Sequence, residues 1–530
     1  MANGVAHRAT VVRCLLHCHV HTVTRHPFFP SSMSAEANIR RDCQPDSTVN
    51  VPQGPLDSEK DAAFTGLSQE LENLIVDWEG PDDPLNPRNW SRRKKWAATI
   101  TASAFTFISP VSSSMIAPAS DQVAHDFGVT NEVVVALFTS IFILSYAIGP
   151  LFLGPLSEIF GRNRIIQGAN LWYLVWNLAC GFAQNPGELL VFRFLAGIGG
   201  SAPLATGGGV LGDIWSAEER GQAVAIYTLA PLLGPVVGPI CGAYIAQKSN
   251  WRWVFWSTTI VTVAVQILGV LYLRESYAPF LLEQKAKRIR KSIDSEKGPV
   301  RIVKSKLATD DRTWKNVIKI ALTRPFVLFY YEPIVQLLAI YMSYLYGLFY
   351  LFLTSMPLMF QGTYSEGVGV SGLHYLAFGV GFCGASQIGA RLMDYIYRVL
   401  KQRYGGVGQP EFRLPSMVPG SIFLPIGFLI TGWAVQAKVH WIVADIGIVL
   451  VGAGIILSFQ AIQMQFELLS RYIIDAFTIS AASALAAAYC LRALCGFGFP
   501  LFAESMYKKL GYGKGDTVLA VIAIAIGCPA

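Results

Sequence analysis

The residues from Gly154 to Arg164 read GPLSEIFGRNR and place several charges between two long apolar segments. Gly154 and Gly161 permit a tight reversal between helices, because glycine adopts backbone conformations that other residues avoid. Glu158 supplies an acid, and Arg162 and Arg164 supply cations that can bond it. Charges in apolar surroundings are costly unless they are paired. We therefore predict a switchable ionic latch in this stretch, here called the latch motif.

Arg193 is a second charge in an apolar segment, within the sequence RFLAGIGG. A permanently charged guanidinium is costly there unless it faces a cavity or a partner. One interpretation is a functional arginine in the interior of the molecule. The other is an arginine near a helix end that extends its charge toward water, since Glu188 lies five residues earlier.

The stretch APLLGPVVGPICGAY repeats proline and glycine every four residues, so each set forms a ridge along a helix. Proline removes backbone donors and bends a helix, whereas glycine lets a neighbouring backbone approach closely. The pattern predicts a bendable, tightly packed pivot; simple close packing would explain the glycines but not the prolines. The two ridges are Pro231, Pro235 and Pro239, and Gly234, Gly238 and Gly242.

Further residues could contact a small molecule. Glu332 precedes a proline, and Tyr341 and Tyr344 belong to the aromatic stretch YMSYLYGLFYLF, which suits flat or cationic compounds. The alternatives are a helix cap for the acid and helix packing or lipid contact for the tyrosines. Asp445 fits a helix cap better than a binding site, and we expect Arg492 to pair with a carboxylate or a carbonyl.

Membrane helices must position these residues. The chain has 530 residues, of which 52% are hydrophobic and 15% charged, and this is too apolar for a soluble protein of that size. Because a span needs about 20 apolar residues, we predict an all-α membrane protein with twelve transmembrane helices. The predicted spans are 97–118, 132–153, 165–183, 188–211, 221–246, 253–273, 331–356, 371–393, 416–436, 441–462, 472–500 and 516–530.

The spans divide into two pseudo-symmetric halves of six helices, a plan typical of transporters with a binding site between the halves. The predicted domains are a disordered cytoplasmic tail over 1–95, a first half over 96–273, a basic cytoplasmic linker over 274–324, and a second half over 325–530. The last span is short, so we expect a truncated final helix.

Lys and Arg are concentrated in the linker, before the first span and after the second and eighth spans, which predicts that both termini are cytoplasmic. The net charge of +7 therefore reflects membrane topology and not nucleic-acid binding. The nine cysteines are scattered and indicate no disulfide framework. No G-x-x-x-x-G-K-[ST] motif occurs, so ATP is not the expected energy source.

The motifs together resemble the major facilitator superfamily, and within it the fungal twelve-span drug:proton antiporters. The latch motif matches the pattern G-x-L-x-D-x-x-G-R, with Glu158 in place of the usual aspartate and Ile159 in place of the usual cation. The segment QFELLSR, residues 465–471, is an insertion relative to that family, and we expect it either to lie in a cytoplasmic loop or to come from a mis-spliced gene model. Further similar segments are DPLNPRNW, RFLAGIGG, GDIW with ERG, WRWVFW, RPFVLFYYEPIV and FRLPSMVPG.

This resemblance implies a secondary active exporter, not an enzyme, that moves small amphipathic or cationic compounds in exchange for protons. It implies alternating access, no cofactor, a monomer, and residence in the plasma or vacuolar membrane. It assigns Arg193 to proton coupling and the Gly/Pro ridges to the antiporter motif of the fifth helix. The alternatives are a nutrient or sugar importer of the same superfamily, a non-transporting membrane sensor, or a defective gene product.

Overall fold

The structure is a computed structural model that describes residues 74–216, 219–295, 303–305, 329–330, 333–404, 410–477 and 481–527. Its main elements are twelve helices. The first half contains α1 Arg92–Ser114, α2 Glu132–Phe160, α3 Arg162–Cys180, α4 Pro186–Ile214, α5 Arg220–Lys248 and α6 Arg252–Tyr272. The second half contains α7 Pro333–Pro357, α8 Tyr375–Arg403, α9 Val418–Gln436, α10 Trp441–Phe477, α11 Ala481–Leu510 and α12 Tyr512–Gly527.

Shorter elements connect these helices. They include the helices Ser120–Phe127 and Val368–Ser371, the linker helix Ala278–Ser295, a π-helical turn Leu358–Thr363, and the 3-10 turns Pro87–Asn89, Ala117–Ala119, Gly372–His374 and Pro410–Met417. Of all helical stretches in the described residues, nine are long and apolar enough to cross a membrane. The helix α3 is not among them, because its first turn carries Arg162, Asn163 and Arg164. The predicted all-α fold with twelve helices is confirmed.

The expected disordered tail over 1–95 is wrong for its last part. Strand β1 Leu74–Val76 pairs in parallel with strand β2 Val303–Ser305 of the linker. In addition, Lys285 of the linker helix forms an ion pair of 3.0 Å with Glu79. The residues before 74 lie outside the described part. The polar segment preceding α1 is therefore attached to the linker.

Local hydrogen bonds shape the segment between β1 and α1. The Asp83 carboxylate accepts bonds from the backbone N–H groups of Glu79, at 3.0 Å, and Leu85, at 2.8 Å. These bonds lower the pKa of Asp83. The Asn89 side-chain amide donates to the carbonyl of Pro81 at 2.6 Å. Acidic and amide side chains thus stabilise the turns of this segment.

Residues 465–471, the insertion relative to the family, lie inside α10 Trp441–Phe477. We expected them in a loop between two helices. The backbone instead continues as one helix of 37 residues. The extra residues lengthen α10 and do not interrupt it.

The two halves contact each other at one end of the bundle. The latch end is the end that carries Arg162, and the opposite end is the one that carries Glu132 and Lys508. Lys508 of α11 pairs with Glu132 of α2 at 2.7 Å. Near the middle, the hydroxyls of Ser113 in α1 and Tyr350 in α7 lie 3.2 Å apart. The bundle is therefore closed at the opposite end.

The helix α5 lies along this seam. A Cβ placed on Gly379 of α8 would lie 2.6 Å from Val236, and one placed on Gly372 would meet Ala243. Both α5 residues belong to the second part of that helix, toward the opposite end. Small residues on α8 and the turn before it thus let the two halves approach closely.

Candidate functional site

The latch motif makes its turn at Gly161, which has a φ of +94° and separates α2 from α3. A Cβ at this position would meet the carboxylate of Glu275, so glycine is required for both the backbone conformation and the close approach. The predicted tight reversal is therefore present, and it ends one helix and starts the next within a single residue.

Glu275 caps the start of α3. Its two carboxylate oxygens accept the backbone N–H groups of Arg162 at 3.0 Å and Asn163 at 3.2 Å. These amides belong to the first turn of a helix, where backbone donors lack partners within the helix and the dipole favours negative charge. Since Gly161 has no side chain to act as a cap, the acid comes from the segment after α6.

Arg162 pairs with Asp213, at the end of α4, and not with Glu158. Its Nε donates to the Asp213 carboxylate at 2.5 Å, and its guanidinium carbon lies 5.0 Å from the ring centroid of Tyr277. The two ion-pair side chains are 15% and 19% exposed, so water screens this pair less than a surface pair. The ionic contacts of Arg162 join α3 to α4.

The predicted bonding of Glu158 to the arginines is absent from the described residues. Glu158 is exposed on α2, and Arg164 lies over the ring of Phe280 in the linker helix, with 5.2 Å to its centroid. The guanidinium of Arg162 has its acidic partner, Asp213, in the distant segment GDIW. Glu275, in the segment RESYAP, accepts backbone N–H groups at the start of α3.

Arg193 is 1% exposed and does not extend to the surface. Its Nη2 donates to the Ser113 carbonyl of α1 at 3.3 Å, and its guanidinium carbon lies 5.2 Å from the ring centroid of Phe142 and 5.6 Å from that of Phe255. Arg193 thus connects α1, α2, α4 and α6 inside the first half. Its assignment to proton coupling stays a prediction.

The glycine ridge of α5 packs against α1. A Cβ on Gly238 would lie 2.6 Å from the carbonyl oxygen of Val111, and one on Gly242 would meet the carbonyl oxygen of Met115. Backbone atoms cannot move aside as side chains do, so only glycine fits. The close packing of the ridge is therefore present in the structure.

The proline ridge lies within one continuous helix. Pro235 and Pro239 are buried and Pro231 is half-buried, while α5 continues over 29 residues. Each proline leaves one carbonyl of the preceding turn without its helical partner. The bending of α5 at these positions stays a prediction.

The predicted substrate tyrosines of α7 do not lie between the halves. Tyr341 is fully buried, with its hydroxyl 3.4 Å from that of Ser458, and Tyr344 donates to the carbonyl of Leu519 at 2.6 Å. Both contacts stay within the second half, so these tyrosines hold α7 against α10 and α12. Helical spacing places Tyr346 on another face of α7, toward the first half. Glu332 lies outside the described residues.

His374 forms a charged cluster that the sequence analysis missed. Its Nδ1 lies 2.8 Å from a carboxylate oxygen of Asp445, and its Nε2 lies 2.9 Å from one of Glu366. The imidazole stacks on Phe360, with 3.6 Å between the centroids. Asp445 is therefore not the simple helix cap that we expected. Glu366 precedes His374 by eight positions, but Asp445 follows it by 71, so the sequence does not show that the three residues meet.

The geometry around His374 suits a protonated imidazole. A neutral imidazole has one donor and one acceptor nitrogen, whereas an imidazolium has two donors. Since each nitrogen faces a carboxyl group, an imidazolium can donate to both acids when they are ionised. The acids approach from different sides of the ring and do not converge on a point. In the described part of the chain, no group of three or more histidine, cysteine or acidic residues is arranged to hold a metal ion.

Comparison with known proteins agrees with this architecture. The family model of the Major Facilitator Superfamily matches residues 102–500. The chain is 46% identical over 480 residues to the efflux pump vrtL of Penicillium aethiopicum, covering 90% of this chain and 92% of that one. It is 41% identical over 487 residues to the MFS transporter cpaT of Aspergillus oryzae, covering 91% of this chain and 94% of that one.

Solved structures share the fold at low sequence identity. The xylose transporter XylE from E. coli, in a partially occluded inward-open conformation, superposes with a TM-score of 0.60 at 14% identity. The match covers 82% of this chain and 97% of that structure. Such a likeness concerns the fold alone. Together with the family match over most of the twelve helices, it establishes that this chain is a multi-pass membrane transporter that belongs to the major facilitator superfamily.

Proposed function

We propose that this chain exports small amphipathic compounds from the cytoplasm in exchange for protons. The observation that carries the proposal is the identity of 46% over nearly the full length with a protein named as an efflux pump. The close-packed helix α5 also supports export, because its Gly/Pro ridges resemble the family's antiporter motif. The cationic compounds expected from the sequence form a second substrate class within this proposal.

Alternating access gives the mechanism. In this mechanism the latch end would lie in the cytoplasm with both termini on that side, which the arginine-rich loops of the sequence favour. The halves meet at the opposite end, and we propose that this arrangement belongs to the state that faces the cytoplasm. Closing the latch end while opening the opposite end would release the substrate outside. The chain would work in this way as a monomer in the plasma membrane or the vacuolar membrane.

The His374 cluster supplies a proton site for this exchange. An imidazolium that bonds both Glu366 and Asp445 stabilises the loops at the opposite end, and loss of its proton removes one of these bonds. Tyr364 is the other titratable group close to these two acids. Protons from outside would thus favour closure of that end. Arg193 does not release its proton at physiological pH, so it would affect the exchange only through its fixed positive charge.

Transport in a yeast strain that lacks its own drug pumps tests the proposal. Cells with the full chain should accumulate less of a fluorescent amphipathic dye than cells with an empty vector. A proton uncoupler should abolish the difference. An importer would raise accumulation, and a sensor or a defective product would leave it unchanged; each of these results would refute export.

The variant His374→Gln tests the coupling separately. Glutamine keeps one donor for one acid but cannot gain a proton. We expect the variant to reach the membrane and to lose most of the uncoupler-sensitive export. If export by this variant keeps its full dependence on the proton gradient, another group carries the proton.

A further inference from the structure

Arg492 lies near the middle of α11 and is surrounded by aromatic rings. Its guanidinium carbon is 4.5 Å from the ring centroid of Tyr489, 4.7 Å from that of Tyr346 and 5.6 Å from that of Phe459. We call these four residues the Arg492 cage. They come from three helices of the second half, α7, α10 and α11.

The guanidinium of Arg492 lacks the partner that we expected for it. A guanidinium has five N–H donors in its plane, and aromatic faces attract its charge without accepting these donors in good geometry. Within the described residues, no carboxylate or carbonyl accepts a bond from it, and its Nε is shielded from water. An unpaired buried charge of this kind is costly, so it requires a compensating partner.

Three acids of the described helices are engaged elsewhere and do not provide that partner. Asp213 pairs with Arg162, and Asp445 bonds His374. Asp516 accepts a bond of 2.7 Å from the hydroxyl of Tyr507. The positive charge of Arg492 is therefore not neutralised by these acids.

The cage faces the seam between the two halves. Gly496 follows Arg492 by one helical turn and so lies on the same face of α11. A Cβ there would come within 2.8 Å of the Tyr346 ring and 3.2 Å of Ile143 in the first half. Gln463 of α10 donates to the Tyr489 hydroxyl at 3.1 Å. The cage thus combines a cation, a polar rim and aromatic walls at the place where a transported compound would pass.

Arg193 shows how an arginine with a backbone partner is arranged in the same fold. It also lies against two aromatic rings, but it bonds the Ser113 carbonyl and is 1% exposed. Arg492 is half-buried, has no such bond and lies at the seam. The difference between the two arginines indicates that Arg492 is arranged for a ligand.

We propose that the Arg492 cage binds an acidic group, a carboxylate or an ionised phenol, carried by a flat aromatic compound. Such an anion accepts paired N–H donors from the guanidinium, and its ring stacks beside Tyr346 and Tyr489. A cationic compound would be repelled. The inference rests on the proposed function, because it takes this compound to be the exported substrate. It narrows the expected substrates to acidic aromatic molecules.

Binding to the full chain in lipid nanodiscs tests this assignment. Three fluorescent probes share an anthracene ring and differ in one substituent, which is a carboxylate, a carboxamide or an aminomethyl group. We expect the carboxylate to bind about ten-fold or more tightly than the carboxamide, as for a hydrogen bond to a charged group, and the amine to bind most weakly. Equal affinities for carboxylate and carboxamide, or tightest binding of the amine, would overturn the proposal.

Variants locate the effect. Arg492→Gln should remove the preference for the carboxylate, and Arg492→Lys should keep part of it, because lysine retains the charge but not the paired donors. Arg413→Gln is the matched control, since Arg413 also has a shielded Nε and lies 4.9 Å from the ring centroid of Tyr397, outside the cage. Loss of the preference in Arg413→Gln but not in Arg492→Gln would refute the site. If Arg492→Gln fails to fold, the probe series on the unmodified chain and on Arg492→Lys still shows whether the cage prefers the carboxylate.

Export of the same three probes from cells separates this inference from the proposed function. Selective binding of the carboxylate without export of any probe would contradict export and leave the binding site intact. Export of all three probes at equal rates, together with equal binding, would contradict the site and leave the exporter intact.

Discussion

The latch end and the opposite end use ionic contacts for different purposes. At the latch end, Arg162, Asp213 and Glu275 join segments that all lie in the first half or at the start of the linker. At the opposite end, Glu132 and Lys508 join the first half to the second. The more buried network thus stiffens one moving body, whereas the more exposed pair holds two bodies together.

This difference separates rigidity from switching. Contacts within one half are kept in every state of a rocking mechanism, so they can be strong. Contacts between halves must break in each cycle, and strong ones would slow the transporter. Exposed pairs contribute little to stability and break readily. The buried network at the latch end therefore suits rigidity within the first half, and the exposed pair at the opposite end suits switching between states.

The largest expected effect concerns the glycines. Gly242→Leu places a side chain against the Met115 carbonyl, and we expect loss of folded protein in the membrane. Gly154→Leu is the matched control, because a Cβ at that position has open space. Size-exclusion profiles of a fluorescent fusion would show both results. Equal yields of the two variants would contradict the packing of α5 on α1.

Removing the acid at the latch end should have the next largest effect. Asp213→Asn leaves the partly buried guanidinium of Arg162 without its ionic partner, which should lower the free energy of unfolding by about 1–3 kcal/mol. Thermal unfolding in detergent measures the change. If Asp213→Asn lowers the free energy of unfolding no more than the replacement of an exposed acidic residue elsewhere on the bundle, the network does not stiffen the first half.

Glu158→Gln should separate stability from switching. Because Glu158 is exposed and has no ionic partner among the described residues, we expect no change in thermal unfolding. We expect slower transport, since the acid lies on α2, which packs along α11 of the second half. Normal transport by this variant would refute a role of the latch motif in switching, and its membrane insertion serves as the control.

The turn at Gly161, at the latch end, and the glycine ridge of α5, toward the opposite end, could be predicted because their signals are local. Both follow from spacing along a single segment. The partners Asp213 and Glu275 could not be predicted, since they depend on how α4 and the end of α6 meet α3. The same limit applies to α7, where Tyr341, Tyr344 and Tyr346 share one stretch but only the packing shows which face each occupies.

Lys508→Gln at the opposite end should change stability less than Asp213→Asn, but it should shift the conformational balance. Losing the bond to Glu132 weakens closure of that end. Distances between spin labels on α2 and α11 near these residues should become longer in a larger fraction of molecules. Labels at the latch end within the first half should keep their distances. An unchanged distribution at the opposite end would show that other contacts hold it closed.

The smallest effect should be the response to pH. The His374 cluster orders the turn at Gly372, which packs on Ala243 of α5 in the first half, so we expect the closed fraction of the opposite end to fall as the pH rises through the range where the His374 proton is lost. The same spin labels measure this fraction. In His374→Gln the dependence should disappear, whereas the latch end should be insensitive to pH in both proteins. A response that persists in the variant would assign it to another group.

The cap that Glu275 provides for α3 has a consequence for biosynthesis. The acid follows Arg162 by 113 positions, so it leaves the ribosome roughly ten seconds after the helix that it caps. During that interval α3, which lacks the apolar character of the nine clear spans, enters the membrane with uncapped amides and two unpaired arginines. The network at the start of α3 becomes complete only when the sixth helix has been made, so within the first half α3 is the span that depends most on assistance from the insertion machinery.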